Sequence, residues 1–532
     1  MPNHTENNSG IRGVSRRDLL RMTAIGGSAA ALSPLMTACS SDGGSPATSP
    51  TAAASPKRGG TLTVGILGGS SSDTVDGNTP LSYTDNARLA NLYDPLLTFD
   101  RDAKIEYNLA EELTANADAT SWTIRLKPGI EFHNGKTLTS EDVKFTLNRI
   151  ASGNLTGAPL LAVADVKNIE ILDSQTLRVP MLAPVAVFNE ILASPWTFQM
   201  VPVGYDPKQP VGTGAFKFNS FTPGQQSVFD RNPNYWDDGM PYLDQLILVD
   251  AGDGSAQTQG IQGGQFDAID QVTPAAVAGL TSAGINTTVS RGYSWNPIVM
   301  RTDVAPFDDV RVRQAFRMIL DRPQAAQLAI GGYGAIGNDL FAPFDATYNN
   351  DLPQRVQDIE QAKSLLKAAG HDSLTVNLVT SQQIGVGIYE TAQIFAEQAK
   401  AANVTVNLQN LTQAAFYGPE FTKYPFAQDT WSLYTYMVQV YYSMLPTSQY
   451  NETHFSNPQY IKMAQTAIKT VDEAKRAEIV HEMQAIEYNE GGYIIPFFTG
   501  FVDATQANVN GMLPSKMGLP FNNYRFKYLW KS

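Results

Sequence analysis

The sequence has a single cysteine, Cys39, among its 532 residues. One cysteine cannot form a disulfide within the chain, nor can it build a cysteine-rich zinc site. Histidines are also sparse, and none of the 5 lies within a few residues of another, so no HExxH-type metal motif is present. The sequence therefore predicts no metal centre and no cofactor.

Basic residues are few as well. The chain has 38 Lys and Arg against 51 Asp and Glu, a formal net charge of −13. A protein that binds nucleic acid needs a basic stripe to meet the phosphates, and no run of Lys and Arg supplies one. We therefore exclude nucleic acid as a partner. The hydrophobic content of 43% is enough for large cores, so global disorder is excluded too.

The common catalytic signatures are missing. There is no GxSxG nucleophile elbow and no phosphate loop that ends in Gly-Lys-Ser/Thr. The glycine cluster at 331–334 follows a predicted helix rather than a strand, which argues against a dinucleotide site. We predict that the protein is not an enzyme. A secreted hydrolase that brings two distant carboxylates together is the alternative from another class.

Residues 1–38 have the features of an export signal. An arginine pair at 16–17 precedes a mildly apolar stretch that is too short and too weak to span a bilayer stably. Small residues stand directly before Cys39, as at a bacterial lipoprotein cleavage site. Lipid on Cys39 would anchor the protein to the outer face of the cell membrane. Both the twin-arginine and the general secretory route remain open for export.

Residues 39–56 consist mainly of Ser, Gly, Thr, Ala and Pro, which is typical of a flexible tether. After this tether, periodicity predicts an α/β fold. Residues 374–379 and 404–408 have the pattern of strands, and a helical pattern over 389–402 separates them. A preceding helix over 358–369 ends at Gly370. Helix, strand, helix and strand at this spacing predict a parallel βαβ unit.

Several motifs occur in one order between about Gly59 and about Leu519. They are Trp122–Gly135, Leu138–Val143, Val211–Gly214, Arg231–Trp236, and Pro306–Ala315 with Asp321 and Arg322. Together they resemble the large extracytoplasmic solute-binding proteins of peptide, nickel and opine ABC importers, known as family 5. The resemblance is specific for this family, and it does not select one ligand.

The resemblance implies a two-lobed periplasmic-binding-protein fold with a hinge and an extra domain inserted in the first lobe. A peptide or similar small solute would be captured between the lobes and delivered to an ABC permease in the membrane. The protein would act as a monomer outside the cytoplasm, in the periplasm or on the cell surface. The implied boundaries are 57–92, 208–296 and 503–532 for lobe one, 93–207 for the inserted domain, and 297–502 for lobe two.

Aromatic residues cluster in a few places, and Trp and Tyr favour half-wet clefts because they combine an apolar ring with a polar group. We therefore predict a ligand site built from aromatic side chains of these clusters. The candidates are Tyr293, Trp295, Trp431, Tyr434, Tyr436 and Phe498.

In peptide-binding relatives, an acidic residue soon after a Trp in lobe two holds the free amino group of the ligand. Here no Asp or Glu occurs between Thr430 and Pro446, which speaks against this mode of recognition. Asp429, or Asp73 or Asp76 from the other lobe, could compensate. A sugar, a quaternary ammonium, an opine or a modified peptide could bind to aromatic rings instead. A nickel chelate with His454 as its ligand is a further alternative within the family.

Overall fold

The computed structural model describes residues 55–532 except 154, 293 and 449. The export signal, Cys39 and the tether as far as residue 54 lie outside the described residues, as does Tyr293. No helix in the described part of the chain has the length and apolar character needed to cross a membrane.

Helices and strands alternate along much of the chain. The α-helices are Tyr83–Leu92, Ser140–Ser152, Ala158–Leu161, Phe188–Leu192, Gly254–Gln262, Pro274–Ser282, Val310–Ile319, Arg322–Ile330, Ile359–Ala368, Ile388–Ala399, Gln413–Phe416, Tyr436–Gln439, Pro458–Ala467, Glu473–Glu490 and Phe521–Tyr524. The strands are Thr61–Ile66, Leu97–Phe99, Ile105–Tyr107, Ala110–Ala115, Ser121–Leu126, Glu170–Ile171, Thr176–Pro180, Phe216–Thr222, Gln226–Arg231, Gln245–Asp250, Ala268–Ile269, Asn286–Ser290, Ile298–Met300, Gly334–Ile336, Leu374–Thr380, Val404–Asn410, Phe426–Gln428, Tyr493–Ile494, Phe497–Thr499, Phe501–Thr505, Val509–Asn510 and Trp530–Lys531.

One large sheet is centred on strand Thr61–Ile66, which pairs in parallel with Gln245–Asp250 and with Ala268–Ile269. Leu62, Val64 and Ile66 alternate along this strand and are fully buried, as its period-2 pattern requires. Seven described strands form this sheet. Their order across it is Asn286–Ser290, Phe501–Thr505, Ala268–Ile269, Thr61–Ile66, Gln245–Asp250, Gln226–Arg231 and Phe216–Thr222.

A second sheet lies in the later half of the chain and contains the predicted βαβ unit. Strands Leu374–Thr380 and Val404–Asn410 are parallel, and helix Ile388–Ala399 connects them. The described strands of this sheet follow the order Val404–Asn410, Leu374–Thr380, Phe426–Gln428, Ile298–Met300 and Tyr493–Ile494. The prediction of a parallel unit is confirmed.

A smaller antiparallel sheet is formed by the chain between Thr61–Ile66 and Phe216–Thr222, two strands of the first large sheet. Its order is Ala110–Ala115, Ser121–Leu126, Thr176–Pro180 and Glu170–Ile171. Helix Ser140–Ser152 starts next to it with a capping box, in which the side chains of Thr139 and Asp142 bond reciprocally to the backbone. This region packs against later helices as well, since the Ala186 amide donates to the Ile468 carbonyl.

The chain passes between the two larger sheets twice. It leaves the first sheet after strand Asn286–Ser290 and enters the second with Ile298–Met300. It returns from Tyr493–Ile494 to strand Phe501–Thr505 of the first sheet. Two sheet-centred bodies joined by two crossings form a two-lobed α/β fold. The residue boundaries of the lobes and of the inserted domain stay predictions.

Candidate functional site

A cavity of about 360 Å³ lies between the two larger sheets. This volume is within the range of small-molecule pockets, about 300–1,000 Å³. Both bodies and the returning crossing contribute to its wall. The lining residues are Leu67, Tyr83, Gln271, Val272, Thr273, Pro274, Ser294, Asn296, Ile330, Tyr333, Ile384, Gly385, Val386, Thr430, Trp431, Ser432, Thr499, Gly500, Phe501 and Val502.

The cavity lies where parallel strands end. Leu67 follows strand Thr61–Ile66, and Gln271 follows its parallel neighbour Ala268–Ile269. In the other body, Thr430 follows Phe426–Gln428, which pairs in parallel with the βαβ unit. The carboxyl ends of parallel strands leave backbone and loop side chains open to a ligand. The loops that follow parallel strands of both sheets therefore line the same cavity.

The described wall of this cavity contains no Asp, Glu, Lys, Arg or His. Several of its polar side chains are hydrogen-bonded to their neighbours. Thr430 Oγ1 donates to Asn296 Oδ1 at 2.9 Å, and Asn296 Nδ2 donates to the Val386 carbonyl at 2.9 Å. The hydroxyls of Ser294 and Thr499 lie 2.5 Å apart. A wall that has no charged side chain, and several of whose polar groups already bond to one another, suits an uncharged ligand of largely apolar surface.

Trp431 begins a column of four stacked aromatic rings that runs from the cavity wall into the core. Its ring centroid lies 5.9 Å from that of Trp295, at an interplanar angle of 15°. Trp295 stacks on Phe341 at 5.5 Å, and Phe341 stacks on Tyr436 at 4.9 Å. The column fixes the plane of the Trp431 ring, so the wall is formed before a ligand arrives.

Two buried carboxyl groups lie behind Trp431. Glu452 Oε1 accepts a hydrogen bond of 2.8 Å from the Trp431 indole, and Asp429 Oδ1 accepts bonds from the Tyr417 hydroxyl and the Thr430 amide. Burial raises the pKa of both carboxyl groups, and the charge of Asp429 raises that of Glu452 further. Among the described residues, no lysine or arginine forms an ion pair with either acid. Because the two carboxyl groups lie in one buried environment, the ionisation of one opposes the ionisation of the other.

The structure separates the predicted site residues into two groups. Trp431 lines the main cavity, and Tyr434 lines an adjacent one. Trp295, Tyr436 and Phe498 lie in the core behind the wall, with at most 2% of their surface exposed. The reason is backbone pairing, since Trp295 forms bridges with both Trp431 and Phe498 and so lies between their segments.

The acids considered as partners for a ligand amine have other partners. Asp73 pairs with Arg88 at 3.1 Å, and Asp76 pairs with Arg149 at 2.7 Å. Asp429 is buried and does not line the cavity. His454 Nε2 lies 3.0 Å from the Thr422 carbonyl, outside the cavity wall. Within the described chain, no group of three His, Cys, Asp or Glu is placed to hold a metal ion.

Sequence reasoning missed part of the wall and its support. Tyr83, Tyr333 and Phe501 line the cavity, and Glu452 holds Trp431 from 21 positions along the chain. Loops from distant segments supply these residues, and no local pattern marks them. The one available signal for Glu452 is that a buried indole N–H needs an acceptor, which does not say where that acceptor lies in sequence.

Comparison with known proteins agrees with the architecture. Residues 104–458 match the family model described as bacterial extracellular solute-binding proteins, family 5 middle. The glutathione-binding protein GsiB of Salmonella typhimurium is 24% identical over 461 residues, which covers 82% of this chain and 89% of GsiB.

Two solved structures have the same fold. The ABC transporter substrate-binding protein CtaP of Listeria monocytogenes superposes with a TM-score of 0.77 at 21% identity, over 89% of this chain and 100% of CtaP. The periplasmic binding protein DppA of Helicobacter pylori, solved in complex with the peptide STSA, gives 0.71 at 19% identity, over 89% of this chain and 98% of DppA.

Proposed function

The chain belongs to the bacterial extracellular solute-binding proteins of family 5, and we propose that it captures an uncharged solute in the cavity beside Trp431 for an ABC importer. The two sheet-centred bodies close on the solute by a hinge motion at the crossings. The loaded protein, a monomer, then docks on its membrane permease. Binding and docking need no catalytic step.

The uncharged wall is the observation that carries this proposal. A buried ammonium or carboxylate must be paired or hydrogen-bonded, and leaving it unpaired costs several kcal/mol. The described wall offers hydroxyls, amides and aromatic rings, and no countercharge. A peptide held by its free amine is therefore disfavoured, whereas an end-blocked or cyclic peptide fits. Trp431 and Tyr434 are the predicted residues that contact the solute.

The alternatives receive less support from the same wall. A nickel chelate would need His454, which is bonded to the Thr422 carbonyl outside the cavity. An opine carries carboxylates, for which the described wall has no cation. A hydrolase needs convergent carboxylates in its cleft, and the acid pair Asp429 and Glu452 lies behind the Trp431 ring.

Lipidation of Cys39 completes the proposal, although this residue lies outside the described part. Its sequence context supports an anchor, and residues 40–56 would let the binding domain reach a permease from that anchor. The anchor would keep the protein at the outer face of the membrane.

The test is recovery of solute from the purified protein. Wild-type protein, purified from rich medium without dialysis, is denatured, and the released small molecules are identified by mass spectrometry. Ser432 is exposed and lines the cavity, so Ser432→Trp should fill it and abolish the released solute. The control is Ser282→Trp, at an exposed serine away from the cavity, which should release as much as wild type. Equal release from Ser432→Trp would refute the assignment of the cavity.

A further inference from the structure

A second cavity of about 280 Å³ adjoins the first. The two share Tyr83 and Ser432 in their walls, so these two residues mark the boundary between the cavities. The lining residues of this side chamber are Pro80, Leu81, Ser82, Tyr83, Asn86, Thr156, Ser194, Pro195, Trp196, Thr197, Ser432, Leu433 and Tyr434.

The side chamber repeats the chemistry of the main cavity. Its described wall also lacks Asp, Glu, Lys, Arg and His. Some of its polar side chains are bonded locally, since the Ser82 and Thr84 hydroxyls lie 2.7 Å apart and Thr197 Oγ1 donates to the Pro195 carbonyl at 2.9 Å. A charged end group would therefore be as unfavourable here as beside Trp431.

Aromatic rings connect the two cavities. Tyr83 packs edge-to-face on Phe501 of the main cavity at 5.5 Å and on Trp196 of the side chamber at 6.1 Å. Trp196 has a left-handed backbone with φ of 57°, a conformation that bulky residues rarely adopt. Backbone of this kind concentrates at ligand-contacting sites, where its cost is offset by function.

Exposed apolar side chains stand at both cavities. Leu81 of the side chamber is 74% exposed, and Val386 of the main cavity is 68% exposed. Large apolar residues at the margin of a pocket gain free energy when a solute covers them. Their positions, one at each cavity, favour a solute that extends past both.

We infer that the solute is elongated, uncharged at both ends and largely apolar, with one part against Trp431 and the other in the side chamber between Tyr434 and Trp196. This inference rests on the proposed function and adds the shape and class of its solute. An end-blocked or cyclic peptide of several residues has this chemistry. A free oligosaccharide does not, because hydroxyl groups cover its surface and it is therefore not largely apolar.

Calorimetry with two peptide probes tests the inference. The probes are Ac-Ala-Phe-NH2 and Ac-Ala-Phe-Ala-Phe-NH2, which differ in length and carry no charge. Only the longer probe fills both cavities, so we expect it to bind wild type about tenfold more tightly than the shorter one, which corresponds to about 1.4 kcal/mol.

A blocked chamber provides the matched comparison. Thr156 is exposed and lines the side chamber, so Thr156→Trp should fill the chamber without disturbing the core. This variant should bind each of the two probes with the Kd that wild type has for the shorter probe. Thr114→Trp, at an exposed threonine of the small antiparallel sheet, should behave as wild type.

Three outcomes would overturn the inference. They are equal Kd values for the two probes in wild type, equal effects of Thr156→Trp and Thr114→Trp on the longer probe, and failure of wild type to bind either probe. The recovery of solute from wild type and from Ser432→Trp still judges the proposed function in each case. A wrong solute class is therefore distinguishable from a wrong cavity.

Discussion

The indole nitrogen of Trp431 and Oε1 of Glu452 are joined by a hydrogen bond of 2.8 Å, with both side chains almost fully buried. Trp431 contributes to the cavity wall while Glu452 remains behind it. A buried acid that a ligand does not touch thus holds the aromatic surface that we assign to the ligand. This acid and the stack on Trp295 together fix the orientation of the ring.

Loss of the Glu452 carboxyl should affect both stability and binding. Glu452→Ala leaves the buried indole N–H without its acceptor, at a cost of about 1–3 kcal/mol in the free energy of unfolding. The Trp431 ring then loses one of its two supports, so solute affinity should fall as well. Denaturant unfolding and calorimetry measure the two effects. Glu452→Gln retains an acceptor oxygen and should keep wild-type affinity, and a large loss of affinity in Glu452→Gln would refute the positioning role.

The raised pKa values of Glu452 and its neighbour Asp429 predict that stability depends on pH. Burial raises the pKa of Asp429 and Glu452 in the folded protein, so the fold binds protons more tightly than the unfolded chain does. Their contribution is fully present below the unfolded carboxyl pKa of about 4, and it is lost as pH rises through the folded values. Glu452→Gln removes one titrating group, so this variant lacks the contribution of Glu452 to the pH dependence.

The measurement compares the free energy of unfolding of wild type and Glu452→Gln at about pH 5 and about pH 8. Other buried acids shift in the same direction, among them Glu487, whose pKa burial raises to about 8. The difference between the two proteins isolates Glu452 from these acids. Wild type should lose more stability than Glu452→Gln between the two pH values. Equal losses would show that Glu452 does not titrate in this window.

Loss of the buried charge of Asp339 should destabilise the second body. Asp339 lies 2.7 Å from the Arg322 guanidinium, 2.8 Å from that of Arg355 and 3.8 Å from that of Arg317. Asp339→Asn leaves these buried cations without their countercharge, which should cost about 3–5 kcal/mol. Denaturant unfolding checks this value. The exposed pair of Glu360 and Lys363 is the control, and Glu360→Gln should cause no measurable change.

Local chemistry in the sequence was sufficient to predict much of the fold. Asp358 was predicted at the start of a helix, and it does cap helix Ile359–Ala368 through the Gln361 amide. The parallel unit that contains Leu374–Thr380 was predicted because the hydrophobic pattern along the chain changes from that of a strand to that of a helix and back to that of a strand. Helix caps and hydrophobic periodicity depend on residues that are close together in the chain, so they can be recognised from a single sequence.

The candidate site could not be predicted to the same extent. Segments from both bodies meet at the cavity, so Tyr83 and Trp431 line the same wall although almost 350 positions separate them. Aromatic density alone did not distinguish Trp431 on the wall from Trp295 and Tyr436 in the core, because both environments favour the same residues. The sequence does show that no acidic residue follows soon after Trp431. The described cavity wall, which has no charged side chain, agrees with that observation.

Cys39 should carry the membrane anchor. Cys39→Ser removes the thiol that lipid would modify, and the variant should move from the membrane fraction to the soluble extracytoplasmic fraction. Immunoblotting of fractionated cells measures the distribution. Ser40→Ala, beside the cysteine, is the matched control and should stay with the membrane. Retention of Cys39→Ser in the membrane fraction would show that another feature holds the protein there.

The central claim is that the solute is bound without a charged end. Calorimetric titration with paired peptides, Ala-Phe-NH2 with a free amine and its N-acetylated form, tests it most directly. The described wall beside Trp431 offers no carboxylate to an ammonium, so the acetylated form should bind at least as tightly as the free amine. Tight binding of the free amine alone would contradict the account, because it would require a carboxylate in contact with the solute.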